Sequence, residues 1–156
     1  MLHRYLSRLY DMVHSRGEIK VEHIQVKRRA KLYGRIVGRL RFYDDSTLIF
    51  GENLELDKNR GINKVYYKYQ YQRADGTLIF RYDNAPHHPE IVTHPDHVHV
   101  GERIEAAEPP DLGDVLRRID EILYSTGQQN GTPLAFENSH SDGTLSEAEK
   151  TDRALE

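Results

Sequence analysis

Apolar residues along the chain keep two rhythms, and each predicts an element. Leu2, Leu6, Leu9 and Val13 recur at three- and four-residue steps with Arg4, Arg8 and Asp11 turned away from them. That spacing predicts an amphipathic helix ending at Gly17. From Leu32 the step shortens to two. Leu32, Ile36, Leu40 and Phe42 then share one side and Arg35, Arg39 and Arg41 the other, as on a half-buried strand. Asp44-Asp45-Ser46-Thr47 reads as a turn, and Leu48, Phe50, Leu54 and Leu56 carry an inward face back along the next strand.

The same pattern then repeats. Lys64–Gln72 alternates with Val65, Tyr67, Tyr69 and Tyr71 on one face, and Arg73-Ala74-Asp75-Gly76 supplies an Asp-Gly turn. Thr77-Leu78-Ile79-Phe80 echoes Thr47-Leu48-Ile49-Phe50 residue for residue. A weaker alternation over Ile19–Val26 predicts a further strand. The sheet is expected to end at Asp83-Asn84 and to give way to a long proline- and histidine-rich loop. Pro109-Pro110-Asp111 opens a second helix, with Leu112, Val115, Leu116, Ile119, Ile122 and Leu123 on one stripe. The predicted fold class is therefore α+β: an antiparallel four- to five-stranded meander sheet with an N-terminal and a C-terminal helix packed on one face.

Composition divides the chain. From Ser125 onward large apolar residues are few, and Gly, Ser, Asn, Thr and Glu dominate, so that stretch cannot bury enough surface to offset its ordering entropy. The expected organisation is a single α+β domain over residues 1–124 and a disordered acidic tail over 125–156. Six acids against two bases give that tail a net charge of −4, which leaves the body at +1 within a chain of −3. Neither value by itself demands a nucleic-acid partner, because distribution rather than sum makes an electrostatic footprint. The absence of cysteine excludes disulfides and thiolate metal sites. No apolar run is long enough to span a bilayer and the first residues are too charged for a signal peptide, so no membrane association and a cytoplasmic location are expected.

Candidate chemistry concentrates in one place. Five of the nine histidines, His87, His88, His94, His97 and His99, fall between residues 87 and 99, whereas His3, His14 and His23 read as surface residues. Clustered imidazoles suit two chemistries. As neutral rings they ligate metals, and His97-x-His99 on an extended segment places two rings on one face. The acids Glu102 and Glu105 follow, but at a spacing that does not fit a cupin metal motif. As groups that titrate near neutrality they also move protons. Cleaving a phosphodiester in that way needs a base for the 2′-hydroxyl, an acid for the leaving oxygen and a cationic clamp. Arg81 and Tyr82 lead directly into the loop, and no acid interrupts the basic run from Lys27 to Tyr43. Tyr66, Tyr67, Tyr69 and Tyr71 offer stacking surfaces for unpaired bases, although alternation equally places the last three in a core.

The segment Arg81-Tyr82-Asp83-Asn84-Ala85-Pro86-His87-His88-Pro89, with Thr93, Pro95, His97, His99-Val100-Gly101 and the Glu108-Pro109-Pro110 helix start, resembles the TumE-type toxins of prokaryotic toxin–antitoxin modules. The resemblance extends from about Arg28 to Leu123. Departures fall at His94, Asp96 and Val98, where an aromatic, a histidine and a basic residue are usual, and the acid at Asp96 makes the loop less favourable to phosphate. The resemblance implies a toxin paired with a cognate antitoxin that carries a DNA-binding domain, and a ribonuclease activity. The expected site is then His97 and His99 as acid and base, with His87 and Arg81 on the scissile phosphate and His88 orienting a neighbour. Arg35, Arg39, Arg41 and Tyr82 are expected to contact RNA. No cofactor is expected in this reading. Two alternatives stay open: a metal-dependent hydrolase or nuclease that uses the same histidines as ligands for a divalent metal, and a non-catalytic module whose loop binds a partner protein.

Overall fold

The computed structural model describes residues 2–28, 32–59 and 61–129. Helix α1 (Leu2–His14) is followed by seven strands: β1 (Lys20–Arg28), β2 (Tyr33–Arg41), β3 (Thr47–Leu56), β4 (Ile62–Gln72), β5 (Leu78–Asp83), β6 (His97–Val100) and β7 (Arg103–Ala106). Helix α2 (Leu112–Gln129) closes the domain. The strands form one antiparallel sheet whose spatial order is the chain order, β1 to β7.

The sheet therefore has seven strands, not four or five. Strand β1 was faint in the sequence because it lies at the sheet edge and buries no residue fully, which blurs the period-two contrast. Strands β6 and β7 span four residues each and lie where proline and histidine density predicted a loop. A tight turn at Gly101, with φ of 59°, joins them, a conformation that glycine adopts without strain. His97 and His99 are thus strand residues, while His87, His88 and His94 lie in the connection between β5 and β6. Helix α1 stops at His14, short of Gly17, and α2 runs past Tyr124 to Gln129. The rest of the expected tail, residues 130–156, lies outside the described residues.

Alternation sorts the sheet into two faces. Ile36, Leu40, Leu48, Phe50, Tyr67, Tyr69, Tyr71, Phe80 and Val98 point to one side and are buried there. Leu9 and Val13 of α1 and Leu112, Val115, Leu116 and Ile119 of α2 join the same core. Burying each such aliphatic side chain stabilises by roughly 1.5–3 kcal/mol, so the helices are held mainly by these stripes. Two expected core positions are instead exposed. Leu32 precedes β2, and Val65 is the extra residue of a bulge where Asn53 pairs with Tyr66 and Leu54 with Lys64. The inward face also carries charge: Glu52 is 1% exposed and accepts hydrogen bonds from Tyr5 of α1 and Tyr69 of β4, both at 2.5 Å. Arg16 adds a 2.6 Å ion pair to Asp120, which ties the end of α1 to α2.

Two glycines test this sidedness. A Cβ at Gly38 would lie 2.3 Å from Phe50 Cε1, in a ring already packed in the core, whereas a Cβ at Gly51 meets nothing nearer than Val37 Cγ1 at 3.5 Å. Gly38→Ala is expected to destabilise by about 1–3 kcal/mol through overpacking. Gly51→Ala is expected to be neutral or slightly stabilising, since glycine in a strand is entropically costly. Denaturant unfolding of both variants checks the pair, and a similar midpoint change in each would contradict the two-faced packing.

Candidate functional site

The face of the sheet turned away from the helices carries the polar chemistry. Arg81 and Asp83 alternate with the inward Phe80 and Tyr82 on β5, and His97 and His99 alternate with the inward Val98 on β6. Antiparallel register sets Arg81 opposite His99 and Asp83 opposite His97. Four polar side chains thus form a two-by-two block, and strand pairing alone fixes it.

Hydrogen bonds determine where protons sit in this block. His97 is 1% exposed, and its Nδ1 lies 2.8 Å from the Pro95 carbonyl, which can only accept, so Nδ1 carries hydrogen. Arg81 Nη2 lies 2.8 Å from His99 Nε2, and a guanidinium only donates, so that nitrogen is bare. Burial, with Arg81 beside it, pulls the His99 imidazole down to about 4, so the ring is neutral near pH 7. His97 Nε2 then faces two acceptors, His99 Nε2 at 3.1 Å and Asp83 Oδ1 at 3.2 Å. That contact is satisfied only when His97 holds a second proton or a cation takes its place. Asp83 also accepts from Arg81 Nε at 2.8 Å and from the Ala85 amide at 3.1 Å. Burial opposes its ionisation, but the Ala85 amide, Arg81 and His97 outweigh it and hold its carboxyl below the ordinary aspartate value.

The β5–β6 connection returns two more rings over the block. The His87 ring centroid lies 4.9 Å from that of His97, and the His88 centroid 5.0 Å from it. His88 Nδ1 lies 3.0 Å from Glu90 Oε1, which orients that ring. His87 is exposed to solvent. His94 turns outward, with Nδ1 donating to the His88 carbonyl at 3.2 Å. One ring nitrogen from each of His87, His88, His97 and His99 falls within 4.8 Å of the others.

A family model described as Toxin TumE matches residues 7–124. The chain belongs to the TumE toxin family. No individual curated protein and no solved structure matches it. Membership in this toxin family points to an antitoxin as partner. No helix among the described residues is long and apolar enough to cross a membrane.

Of the residues expected at a TumE site, the structure brings Arg81, His87, His88, His97 and His99 together and leaves the others elsewhere. Tyr82 lies on the helix side of the sheet, where its hydroxyl accepts from Arg118 Nη1 at 2.5 Å and the guanidinium stacks over its ring. Arg35, Arg39 and Arg41 share the open face with the histidines but lie three and four strands away, roughly 14–19 Å by strand spacing. Arg39 and Arg41 both pair with Glu22, whereas Arg35 has no acid partner among the described residues. Tyr67, Tyr69 and Tyr71 are core residues, which leaves Tyr66 as the tyrosine of that run on the open face. Sequence reasoning missed Asp83, read only as the end of the sheet, although a two-residue step from Arg81 places it on the histidine face. It also missed Lys68, which pairs in register with Asp83.

Asp83→Ala would strand two donors, Arg81 Nε and the Ala85 amide, and remove the carboxylate that faces His97 Nε2. A loss of about 3 kcal/mol in unfolding free energy is expected, with a smaller loss for Asp83→Asn, which keeps one acceptor oxygen. Chemical denaturation measures both. An unchanged Asp83→Ala midpoint would mean that the carboxylate does not organise the block.

Proposed function

We propose that this toxin cleaves RNA at the Arg81–Asp83–His97–His99 block, without a metal, by transferring protons between histidines. The observation that carries the reading is that a linked imidazole pair and a guanidinium share one open sheet face with a field of cations. Across that face lies a shallow groove lined by Arg35, Arg39, Tyr66, Lys68 and Gln70. Cations on an open face suit a phosphate backbone, and an exposed tyrosine suits an unpaired base.

In the cleavage step the 2′-oxygen attacks phosphorus as a histidine removes its proton, and the bond to the 5′-oxygen breaks as a second histidine protonates that oxygen. The products are a 2′,3′-cyclic phosphate and a 5′-hydroxyl end. His97 and His99 are assigned the acid and base roles. His97 is almost fully enclosed and 3.1 Å from His99, so in this reading the β5–β6 connection opens for each ring to meet its own RNA oxygen. Arg81 has Nε on Asp83 and Nη2 on His99, which leaves Nη1 to meet the scissile phosphate alongside the exposed His87. His88 orients its neighbours from the loop. A cognate antitoxin with a DNA-binding domain completes the module in this reading.

Induced expression of the parent chain, with growth and total RNA followed together, tests the proposal, supported by RNA cleavage by purified protein in EDTA. The parent is expected to arrest growth and leave cyclic-phosphate ends. His99→Ala and Arg81→Ala are each expected to cleave about 10²–10⁴ times more slowly. Cleavage that stops in EDTA would replace this reading with the metal-dependent nuclease. Growth arrest with intact RNA would replace it with a loop that binds a partner protein.

A further inference from the structure

His97 Nε2 and His99 Nε2 lie 3.1 Å apart, and each is surrounded by groups that fix where its lone pair points. The Pro95 carbonyl holds hydrogen on His97 Nδ1, so Nε2 is the nitrogen turned into the cluster. Glu90 does the same for His88 through Nδ1, which leaves its Nε2 available. A backbone carbonyl or carboxylate on the far nitrogen is the arrangement that orients a metal-ligating imidazole and raises its basicity. Two nitrogens bound at about 2.0–2.1 Å to a tetrahedral ion lie about 3.3 Å apart, close to the spacing of His97 and His99. The full set of four lies within 4.8 Å, so His87 and His88 must close by roughly an ångström or more, and both sit on the connection between strands, not within one. Asp83, 3.2 Å from His97 Nε2 and 3.8 Å from His99 Nε2, supplies a negative charge beside any cation there.

The donor set also selects the ion. Imidazoles with no thiolate suit zinc, cobalt, nickel or copper(II), while magnesium and calcium want oxygen ligands. One group opposes binding. Arg81 Nη2 occupies the His99 Nε2 lone pair, and a metal ion needs that same pair of electrons.

We propose that His87, His88, His97 and His99 form a site for one divalent transition-metal ion of the zinc class, and that the ion and Arg81 exclude each other at His99 Nε2. Two states follow. With Arg81 in place, no ion holds the rings, and protons pass among the ring nitrogens that Arg81 does not occupy. With the ion in place, their lone pairs are engaged and the site is closed to that chemistry. The metal site rests on the four-ring geometry alone. Its inhibitory effect rests on the function proposed above.

Titration of chelator-treated full-length chain with Co(II), read by visible absorption, and with Zn(II), read by calorimetry, tests the proposal. One ion per chain is expected, with the intense visible bands of tetrahedral nitrogen-ligated Co(II). His87→Ala and His88→Ala are each expected to bind at least about 100-fold more weakly, and both lie on the connecting loop, so circular dichroism should show the fold intact. Arg81→Met is expected to bind about tenfold or more tightly, because the competing hydrogen bond is gone. Absence of binding, or binding indifferent to the histidine variants, would overturn the site. RNA cleavage measured in parallel separates the two proposals. Cleavage in EDTA that Zn(II) suppresses supports both, cleavage only with metal would overturn the inhibitory effect and the metal-free reading, and an unchanged affinity in Arg81→Met would overturn the mutual exclusion. Tight binding with no cleavage in either condition would leave the metal site standing and remove the nuclease reading.

Discussion

The carboxylate of Asp83 lies at the last residue of β5 and meets four groups from three different parts of the chain. It receives the Arg81 guanidinium from its own strand, the Ala85 amide from the loop that follows, and stands beside the His97 and His99 rings of β6. A charge only 3% exposed persists in a protein only when it is paired and hydrogen-bonded, so its position constrains all the others. Its contacts favour the observed exit of the loop from β5, the Asp83–His97 register of β6 and the lie of Arg81 across the face. That one anion ties strand, loop and neighbouring strand together at a single point.

The opposite face has a parallel device. Glu52 is buried among apolar residues and bridges Tyr5 and Tyr69, so that α1, β3 and β4 share a single anion. Lys64, on the next strand, donates to the Pro110 carbonyl at the start of α2. Sheet alternation makes this division possible. A two-residue period gives each strand one side for the core and one for solvent, and seven strands in chain order keep those sides continuous. Leu40 and Arg39, or Phe80 and Arg81, differ by one residue and by the whole thickness of the sheet.

That same rule explains what could be read before the structure was known. The two helices, strands β2 to β5 and the burial of Tyr67, Tyr69 and Tyr71 followed from spacing, because long amphipathic runs average out local exceptions. Strands β6 and β7 did not, since four residues are too few to establish a period beside Pro86, Pro89 and Pro95. Histidine density pointed to the right neighbourhood but not to its organiser. Asp83 is an ordinary acid at a turn until its register with His97 is known, and register is a property of two strands. Tyr82 shows the converse. Its nearness to the histidines in sequence suggested the site, while alternation carries its ring to the helix side, where Arg118 covers it.

Strand order equal to chain order has a kinetic consequence. Every pairing in the sheet joins neighbours in sequence, so most contacts form by closing short loops, and such topologies fold faster than sheets with distant partners. The longest of these closures is the connection over residues 84–96, between β5 and β6, which carries the largest loop entropy of the meander. Core strands can therefore assemble before the histidines meet. The histidine cluster depends on the one pairing of the meander that closure of a short loop does not deliver.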